Sequence, residues 1–217
     1  MPLHSADALV LRTYPFGEAD AVVVFLTPDR GKKRGVAERA RRPRSPFSGA
    51  LAPLTQVRVA YFEREGRDLV GLNYAERVQS PLGVASPEAL GYSHYFAELL
   101  DEWAPDADVD ERVYRLGVAV LEALVAGVPV EPLARYFECW LLRLQGVYPP
   151  DLELSDGADR FVEASRHLRP ADLGAIEVAP HVLRELEHRH RVVMRQLLDR
   201  EMRSLRVIQE LRRVPAN

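Results

Sequence analysis

The sequence predicts an α+β multidomain protein: a small five-stranded β-barrel of the OB-fold type, followed by an all-α helical domain. In the first 77 residues, short apolar and β-branched runs alternate with turn signals, and no helical periodicity is visible. From Ser86 onward, apolar residues recur with the 3.6-residue period of an amphipathic helix. We therefore predict an OB-fold domain over residues 1–80 and an α-helical domain over residues 81–217.

Five strands are predicted in the first domain, over residues 8–14, 21–27, 32–39, 55–62 and 68–75. The turn at residues 28–31 should join the second and third strands as a hairpin, because proline fixes φ and glycine adopts positive φ. Residues 42–53 contain three prolines, which exclude a central strand and favour a loop or arm. Five strands in fewer than eighty residues favour a closed barrel such as the OB-fold.

Helices are predicted throughout the second domain, over residues 87–103, 108–127, 132–144, weakly 160–168, and 180 to at least 208. Ser86 before Pro87 is typical of an N-cap followed by the first helical position. Asp108, Asp110 and Glu111 should open the second helix, where their charge suits the positive end of the helix dipole. The third helix is apolar around most of its circumference and should form the centre of the helical core.

Charge is unevenly distributed along the chain, although the net charge is only -3. Residues 1–80 carry +4, residues 81–159 carry -11 and residues 160–217 carry +4. This asymmetry indicates a face that binds a polyanion. The densest cluster is the basic run from Arg30 to Arg44, in which eight cations accompany the single anion Glu38.

We predict that the basic run binds nucleic-acid phosphates, since cations at this density repel one another and arginine matches phosphate oxygens. Aromatic residues that stack on bases would complete a single-strand site. Tyr14, Phe16, Phe47 and Tyr61 are candidates; Tyr61 alternates in phase with core valines, whereas Phe47 has no obvious core to fill and is preferred. The predicted DNA-binding residues are Lys32, Lys33, Arg34, Arg39, Arg41, Arg42, Arg44 and Phe47.

Catalytic and metal-binding motifs are missing from the sequence. It contains no Walker loop, dinucleotide fingerprint, nucleophile elbow or HExxH run, and the single Cys139 cannot form an internal disulfide or a four-cysteine site. We expect a non-enzymatic cytoplasmic protein with no cofactor, no metal and no membrane contact. Two alternatives remain open: an adaptor whose basic strand binds an acidic partner, and a phosphodiester enzyme with a divalent metal on Asp106, Asp108 and Asp110.

Several motifs, taken together and in order, resemble the RecO family of bacterial recombination mediators in DNA repair. In the first domain they are ALVL at 8–11, GEAD at 17–20, LTP at 26–28, ARRPRS at 40–45 and GALAP at 49–53. In the second domain they are ECWLLRLQGVYP at 138–149 and RSLRV at 203–207.

The resemblance implies binding to single- and double-stranded DNA, strand annealing, and association with the nucleoid. It also implies partnership with RecR and with the tail of single-stranded DNA-binding protein, so that RecA is loaded on gapped DNA. That tail is acidic and ends in an apolar residue, so its site should combine apolar groups with arginine: Arg135, Arg143 or the arginines of the last helix. The family's basic strand and arm fall on Lys32, Lys33, Arg34, Arg39, Arg41, Arg42 and Arg44.

The chain departs from the family pattern in two places. Many members hold a four-cysteine zinc knuckle where residues 151–179 here contain no cysteine, so zinc is not predicted. Glu38-Arg39 stand where the family usually has lysine-glycine, so strand alternation would turn Arg39 to the face opposite that lysine. The strand face that contacts DNA is therefore left open.

Overall fold

The computed structural model describes residues 2–63, 66, 68–83, 86–104, 106, 109–198 and 202–213, the last without its side chain. A β-barrel is followed by helices. The strands are β1 (Leu3–Phe16), β2 (Asp20–Thr27), β3 (Gly31–Ala37), β4 (Gln56–Phe62) and β5 (Leu69–Gln79). The helices are α1 (Pro87–Trp103), α2 (Glu111–Val125), α3 (Val130–Leu144), α4 (Asp156–Ala164), α5 (Pro180–Leu198) and α6 (Arg203–Arg213), with 3₁₀ helices at Pro81–Gly83 and Pro170–Ala175.

The five strands close into a barrel in the order β1-β2-β3-β5-β4. Only β3 and β5 pair in parallel among these strands; the other neighbours are antiparallel. The parallel pair is close at Gly35, where an added Cβ would lie 2.9 Å from the Val70 side chain. This closed five-stranded barrel is an OB-fold, so the predicted fold class is confirmed.

Both faces of β2 are buried, as its uninterrupted apolar run predicts. Val23 and Phe25 point into the barrel core, whereas Val24 and Leu26 on the opposite face pack with the helices. β1 begins five residues earlier than predicted, because Leu3–Asp7 pairs with β4 although it lacks an apolar alternation. The barrel therefore contributes apolar surface to two separate cores.

One hydrophobic core crosses the boundary between barrel and helices. It joins Leu9, Leu11, Val24 and Leu26 of the barrel to the buried faces of the helices, with α3 at its centre. α2 lies directly against β1, because a Cβ at Gly117 would approach Leu9 to 2.6 Å. The barrel is thus packed on the helices through its outer face, and a division of the chain at residue 80 remains our proposal.

The helix boundaries follow local capping. The Ser86 hydroxyl accepts a hydrogen bond from Ala89 N at 3.2 Å, and Asp110 caps α2; Asp108 lies outside the described residues. The prediction of one helix from 180 through 208 is wrong: α5 ends at Leu198, and Met202 is not helical. α6 instead packs against α1, where the lack of a side chain at Gly91 leaves room for Ile208 and Leu211.

None of the helices in the described ranges is long and apolar enough to span a membrane. Within the same ranges, no three His, Cys, Asp or Glu side chains are grouped as a metal-binding site requires. The single Cys139 is fully buried in the helical core.

Candidate nucleic-acid interface

The basic run is divided by the end of β3. Lys32, Lys33 and Arg34 lie on the strand and are called here the strand cations; Arg39, Arg41, Arg42 and Arg44 lie in the β3–β4 loop, residues 38–55, and are called the loop arginines. β3 ends at Ala37, two residues before the predicted end, and Arg39 has a left-handed backbone with φ of +56°. Strand alternation therefore does not decide where Arg39 points.

Lys32 lies at the junction between the barrel and the C-terminal end of α1. Its Nζ donates a 2.6 Å hydrogen bond to the Asp101 carbonyl and lies 3.3 Å from the Asp106 carboxylate and 3.6 Å from that of Asp101. Only 7% of its side chain is exposed. The charge of Lys32 is thus buried and paired where the strand meets the helices, which argues against the predicted contact with DNA.

Lys33 and Arg34 are on opposite faces of β3, and each has a carboxylate partner. The Lys33 Nζ lies 3.0 Å from Glu63 Oε1, and this hydrogen bond lowers the pKa of Glu63. The Arg34 guanidinium lies 3.3 Å from Asp106 Oδ2. Neither face of β3 thus presents a cation without a carboxylate partner.

The β3–β4 loop is a series of hydrogen-bonded turns. Backbone N–H groups donate to the carbonyl three residues earlier at Arg42, Ser45, Ser48 and Ala50, with distances of 3.0 to 3.2 Å. The Arg41 N–H also donates to the Ala19 carbonyl at 2.9 Å, which ties the loop to the β1–β2 hairpin. The loop is held against the barrel along its length.

Phe47 anchors this loop in the barrel core. Its side chain is 3% exposed and packs with the interior of the barrel, together with Ala50. The ring is thus not exposed for the predicted stacking on a DNA base, because the turns of the loop direct residue 47 inward. Tyr61 is fully buried, as predicted, and the exposed aromatic candidates are Tyr14 and Phe16.

All four loop arginines are exposed. None forms an ion pair with a carboxylate among the described residues, and the one hydrogen bond from their guanidinium groups joins Arg41 Nη1 to the Glu18 carbonyl at 3.4 Å. Acidic side chains are nevertheless close, since Asp20 Oδ1 accepts a 2.7 Å hydrogen bond from the Arg39 backbone. The loop arginines are the part of the basic run that remains available to an anionic ligand.

Sequence reasoning missed one further cation beside the loop. Arg77 is exposed on β5, and its Nη1 lies 3.6 Å from the position that a Cβ on Gly49 would occupy. Arg77 is far from the basic run along the chain, and barrel closure brings the two together. No local pattern marks Arg77; only the pairing of β5 with β4 next to the loop could have identified it.

Asp106, Asp108 and Asp110 are the candidate metal site, and the two of them that the structure describes already bind other residues. Asp106 is engaged by Lys32 and Arg34, and Asp110 caps α2 and pairs with Arg112 at 2.9 Å. Hydrogen bonds from Arg112 lower the pKa of Asp110. Asp108, the third member, lies outside the described residues.

The closed barrel with its basic loop, continued by a helical part that packs on its outer face, defines an OB-fold protein with an α-helical extension. Family models specify it further: residues 1–81 match "Recombination protein O N terminal" and residues 85–153 match "Recombination protein O C terminal". The chain belongs to the RecO family, as the motifs of its sequence suggested.

Individual relatives agree with this assignment. A protein of Koribacter versatilis named "DNA repair protein RecO" is 44% identical over 149 residues, which cover 68% of this chain and 60% of the relative. A protein of the same name from Pelotomaculum thermopropionicum is 36% identical over 154 residues, covering 70% of this chain and 59% of the relative. The chain thus spans about three fifths of the length of these relatives.

Proposed function

We propose that this protein is a DNA repair and recombination mediator that binds single- and double-stranded DNA without reading its sequence. One observation carries the proposal: four exposed loop arginines without carboxylate partners in the described ranges are presented by a loop anchored in an OB-fold barrel. Guanidinium groups bind phosphate oxygens through paired N–H donors. Contacts to phosphate position DNA and carry no base information.

Electrostatics should dominate the affinity of such a surface. Each phosphate contact on single-stranded DNA releases counterions and contributes about -0.7 to the slope of log K against log salt concentration. The loop arginines with Arg77 would give a slope of about -3.5. A steep, sequence-independent salt dependence is therefore expected, and a flat dependence would contradict phosphate binding.

Charge reversal in the loop tests the proposal directly. We expect Arg41→Glu with Arg44→Glu to weaken binding of a fluorescent oligonucleotide by about 100-fold, since each lost charged hydrogen bond is worth about 1.5–3 kcal/mol. The matched control, Arg115→Glu with Arg184→Glu, makes the same charge change at exposed arginines on α2 and α5. Equal losses in the two variants, measured by fluorescence anisotropy, would contradict a DNA site in the loop.

The mediator activity requires more than DNA binding. We propose that the protein anneals complementary strands and, together with RecR, promotes RecA loading on DNA coated by single-stranded DNA-binding protein. The test is annealing of coated complementary strands, with and without the protein. We expect faster annealing with wild type and not with the loop variant; equal rates with and without protein would exclude the activity.

We propose that a small cavity between α5 and α6 is the binding site for the acidic, apolar-ended tail of single-stranded DNA-binding protein. It has a volume of about 120 Å³, and Met194, Met202, Leu205, Arg195 and Arg206 are among its lining residues; Arg191 also lines it but pairs with Glu187 at 2.6 Å. Arg135 does not fit this role, because it is 2% exposed and bound by Glu138 and Glu187; Arg143 lies over the Tyr148 ring at 5.0 Å. We expect Arg206→Ala to weaken binding of an acidic peptide ending in phenylalanine about tenfold, and Arg184→Ala to leave it unchanged.

The proposed function is non-enzymatic and belongs to the nucleoid in the cytoplasm. The alternative of a metal-dependent phosphodiester enzyme is disfavoured because Asp106 and Asp110 already form ion pairs with arginine or lysine side chains. The adaptor alternative is disfavoured because the strand cations bind carboxylates of their own chain. Incubating DNA with the protein and Mg²⁺ or Mn²⁺ should leave the DNA intact; cleavage would revive the enzyme alternative.

A further inference from the structure

We propose that the groove between β1 and helices α1 and α6 binds an unpaired nucleobase on Tyr14, so that this protein holds single strands more tightly than duplexes. The proposal rests on the proposed DNA-binding function and extends it to a second surface. The groove has a volume of about 680 Å³, which lies within the range of about 300–1,000 Å³ typical of ligand sites.

Tyr14 offers an aromatic surface in this groove. It is 42% exposed, and its hydroxyl makes no hydrogen bond to any of the described residues. Val207 of α6, which is 50% exposed, lines the same groove. An exposed aromatic ring beside apolar side chains is the arrangement on which nucleobases stack, irrespective of their sequence.

The charges that line the groove suit a phosphodiester. Glu98 is the only acidic residue among its described lining residues, and its carboxylate accepts hydrogen bonds from the Arg203 and Ser204 backbone at 3.0 and 2.9 Å. The Arg203 side chain is exposed and forms no ion pair with a described carboxylate. Arg12 is neutralised by Asp101 at 2.8 Å. Arg203 is therefore the cation on which a phosphate would bind.

His94 adds a neutral polar group to the groove. Burial lowers the pKa of His94, and the nearby Glu98 carboxylate opposes this effect without cancelling it. The imidazole is consequently neutral at pH 7 and both donates and accepts hydrogen bonds, as the edge of a base requires.

The groove is continuous with the β3–β4 loop. Pro53 at the end of the loop lines the groove, and the Thr13 hydroxyl next to Tyr14 donates a 2.8 Å hydrogen bond to the Leu51 carbonyl. The Leu54 N–H donates to the Val10 carbonyl at 2.7 Å, which fixes the loop to the same strand. The end of the loop is thus fixed to the strand that carries Tyr14, and the proposal requires a strand held by the loop arginines to continue along β1 to this ring.

Phe16 provides the contrast. It is also exposed, but it lies in a different groove whose charged lining residues are the acids Asp20, Glu38 and Asp68, with no cation among the described lining residues. A phosphodiester would be repelled there. Of the two exposed aromatics on β1, Tyr14 shares its groove with Arg203, whereas the charged residues that line the Phe16 groove are acidic, and Phe16 serves as the control.

The test compares Tyr14→Ala, Tyr14→Phe and Phe16→Ala for affinity to a 20-nucleotide oligothymidylate and to a 20-base-pair duplex at one salt concentration. Because a stacked base is worth about 1–3 kcal/mol, Tyr14→Ala should bind the single strand about 5- to 140-fold more weakly. Its affinity for the duplex should change less than twofold. Tyr14→Phe and Phe16→Ala should match wild type on both, and circular dichroism should show that all variants are folded.

Arg203→Glu tests the groove independently of stacking. We expect the slope of log K against log salt for the single strand to flatten by about 0.7, the value of one phosphate contact. The control is Arg115→Glu on α2, which should leave the slope unchanged.

The outcomes separate the two proposals. If wild type binds neither DNA, the proposed function fails and the groove proposal fails with it. If the loop variants lose binding while Tyr14→Ala matches Phe16→Ala on the single strand, the groove proposal alone is overturned. Equal losses on single strand and duplex, or an effect of Tyr14→Ala only on binding of an acidic peptide, would also overturn it.

Discussion

The two halves of the basic run have opposite surroundings. The strand cations Lys32, Lys33 and Arg34 each lie within 3.3 Å of a carboxylate, and Lys32 is buried. The loop arginines are exposed and have no carboxylate partner among the described residues. A run of positive charge thus serves two purposes: on β3 it joins the barrel to the helices and to Glu63, and in the loop it stays available to an anion.

The largest effect expected of a single substitution is at the anchor of the loop. Phe47→Ala should lower the free energy of unfolding by about 3–5 kcal/mol, because it removes a buried aromatic side chain from the barrel core. Urea denaturation measures this loss, and Phe16→Ala, at an exposed position, should stay within about 0.5 kcal/mol of wild type. A Phe47→Ala protein as stable as wild type would mean that the loop arginines are not held by the barrel.

Replacing Lys32 should lower the free energy of unfolding and leave the affinity for DNA unchanged. Lys32→Ala leaves the Asp101 carboxylate with Arg12 as its remaining cation, so we expect a loss of about 3 kcal/mol, near the low end for a broken buried ion pair. Arg42→Ala in the loop should change stability by less than about 0.5 kcal/mol. If Lys32→Ala is stable but binds DNA poorly while fully folded, the division between the two halves is wrong.

Removing the Asp106 carboxylate should convert Arg34 into a DNA contact. Asp106→Asn deprives Arg34 of its ion pair, and we expect about two- to threefold tighter DNA binding at low salt, as a weak exposed pair gives way to a phosphate. Asp172→Asn on the helical side is the control, because it removes a carboxylate that likewise pairs with one arginine, Arg169; the Asp172 side chain is 39% exposed and that of Asp106 is 64% exposed. Identical affinities in the two variants would show that Arg34 does not face the bound DNA.

The smallest expected effect is the pH dependence of the stability that the Lys33–Glu63 ion pair contributes. The Lys33 hydrogen bond lowers the pKa of Glu63 in the folded protein, so its contribution to stability is present above about pH 4.5 and is lost as the pH falls below that value. For this partly exposed pair, we expect a few tenths of a kcal/mol. The stability difference between wild type and Glu63→Gln should shrink in acid; a difference independent of pH would contradict the ion pair.

The sequence predicts the barrel because each strand and turn is encoded locally. The apolar run of β2 and the proline and glycine of the turn at residues 28–31 need no distant partner, and Gly31 does adopt positive φ. The same holds for the cap at Ser86, whose hydroxyl binds α1 as expected. Local patterns also identified the loop arginines as exposed cations.

The burial of Lys32 and Phe47 could not be predicted from local patterns. The partners of Lys32, Asp101 and Asp106, are about seventy residues away and meet it only when α1 packs on the barrel. Phe47 follows Pro46 in a polar, proline-rich segment, and its burial depends on successive turns that no apolar pattern signals. The start of α6 also depends on a distant residue, because the Glu98 carboxylate of α1 accepts hydrogen bonds from the Arg203 and Ser204 N–H groups.

The most direct test of the division of the basic run into strand cations and loop arginines is a salt titration of DNA binding by two variants. One replaces the loop arginines Arg39, Arg41, Arg42 and Arg44 with glutamine, and the other replaces Lys33 and Arg34. For single-stranded DNA, we expect the slope of log K against log salt to flatten by about 3 in the loop variant and to remain unchanged in the strand variant. A loop variant with the wild-type slope, or a strand variant that flattens as much, would contradict the proposal that the loop holds the DNA.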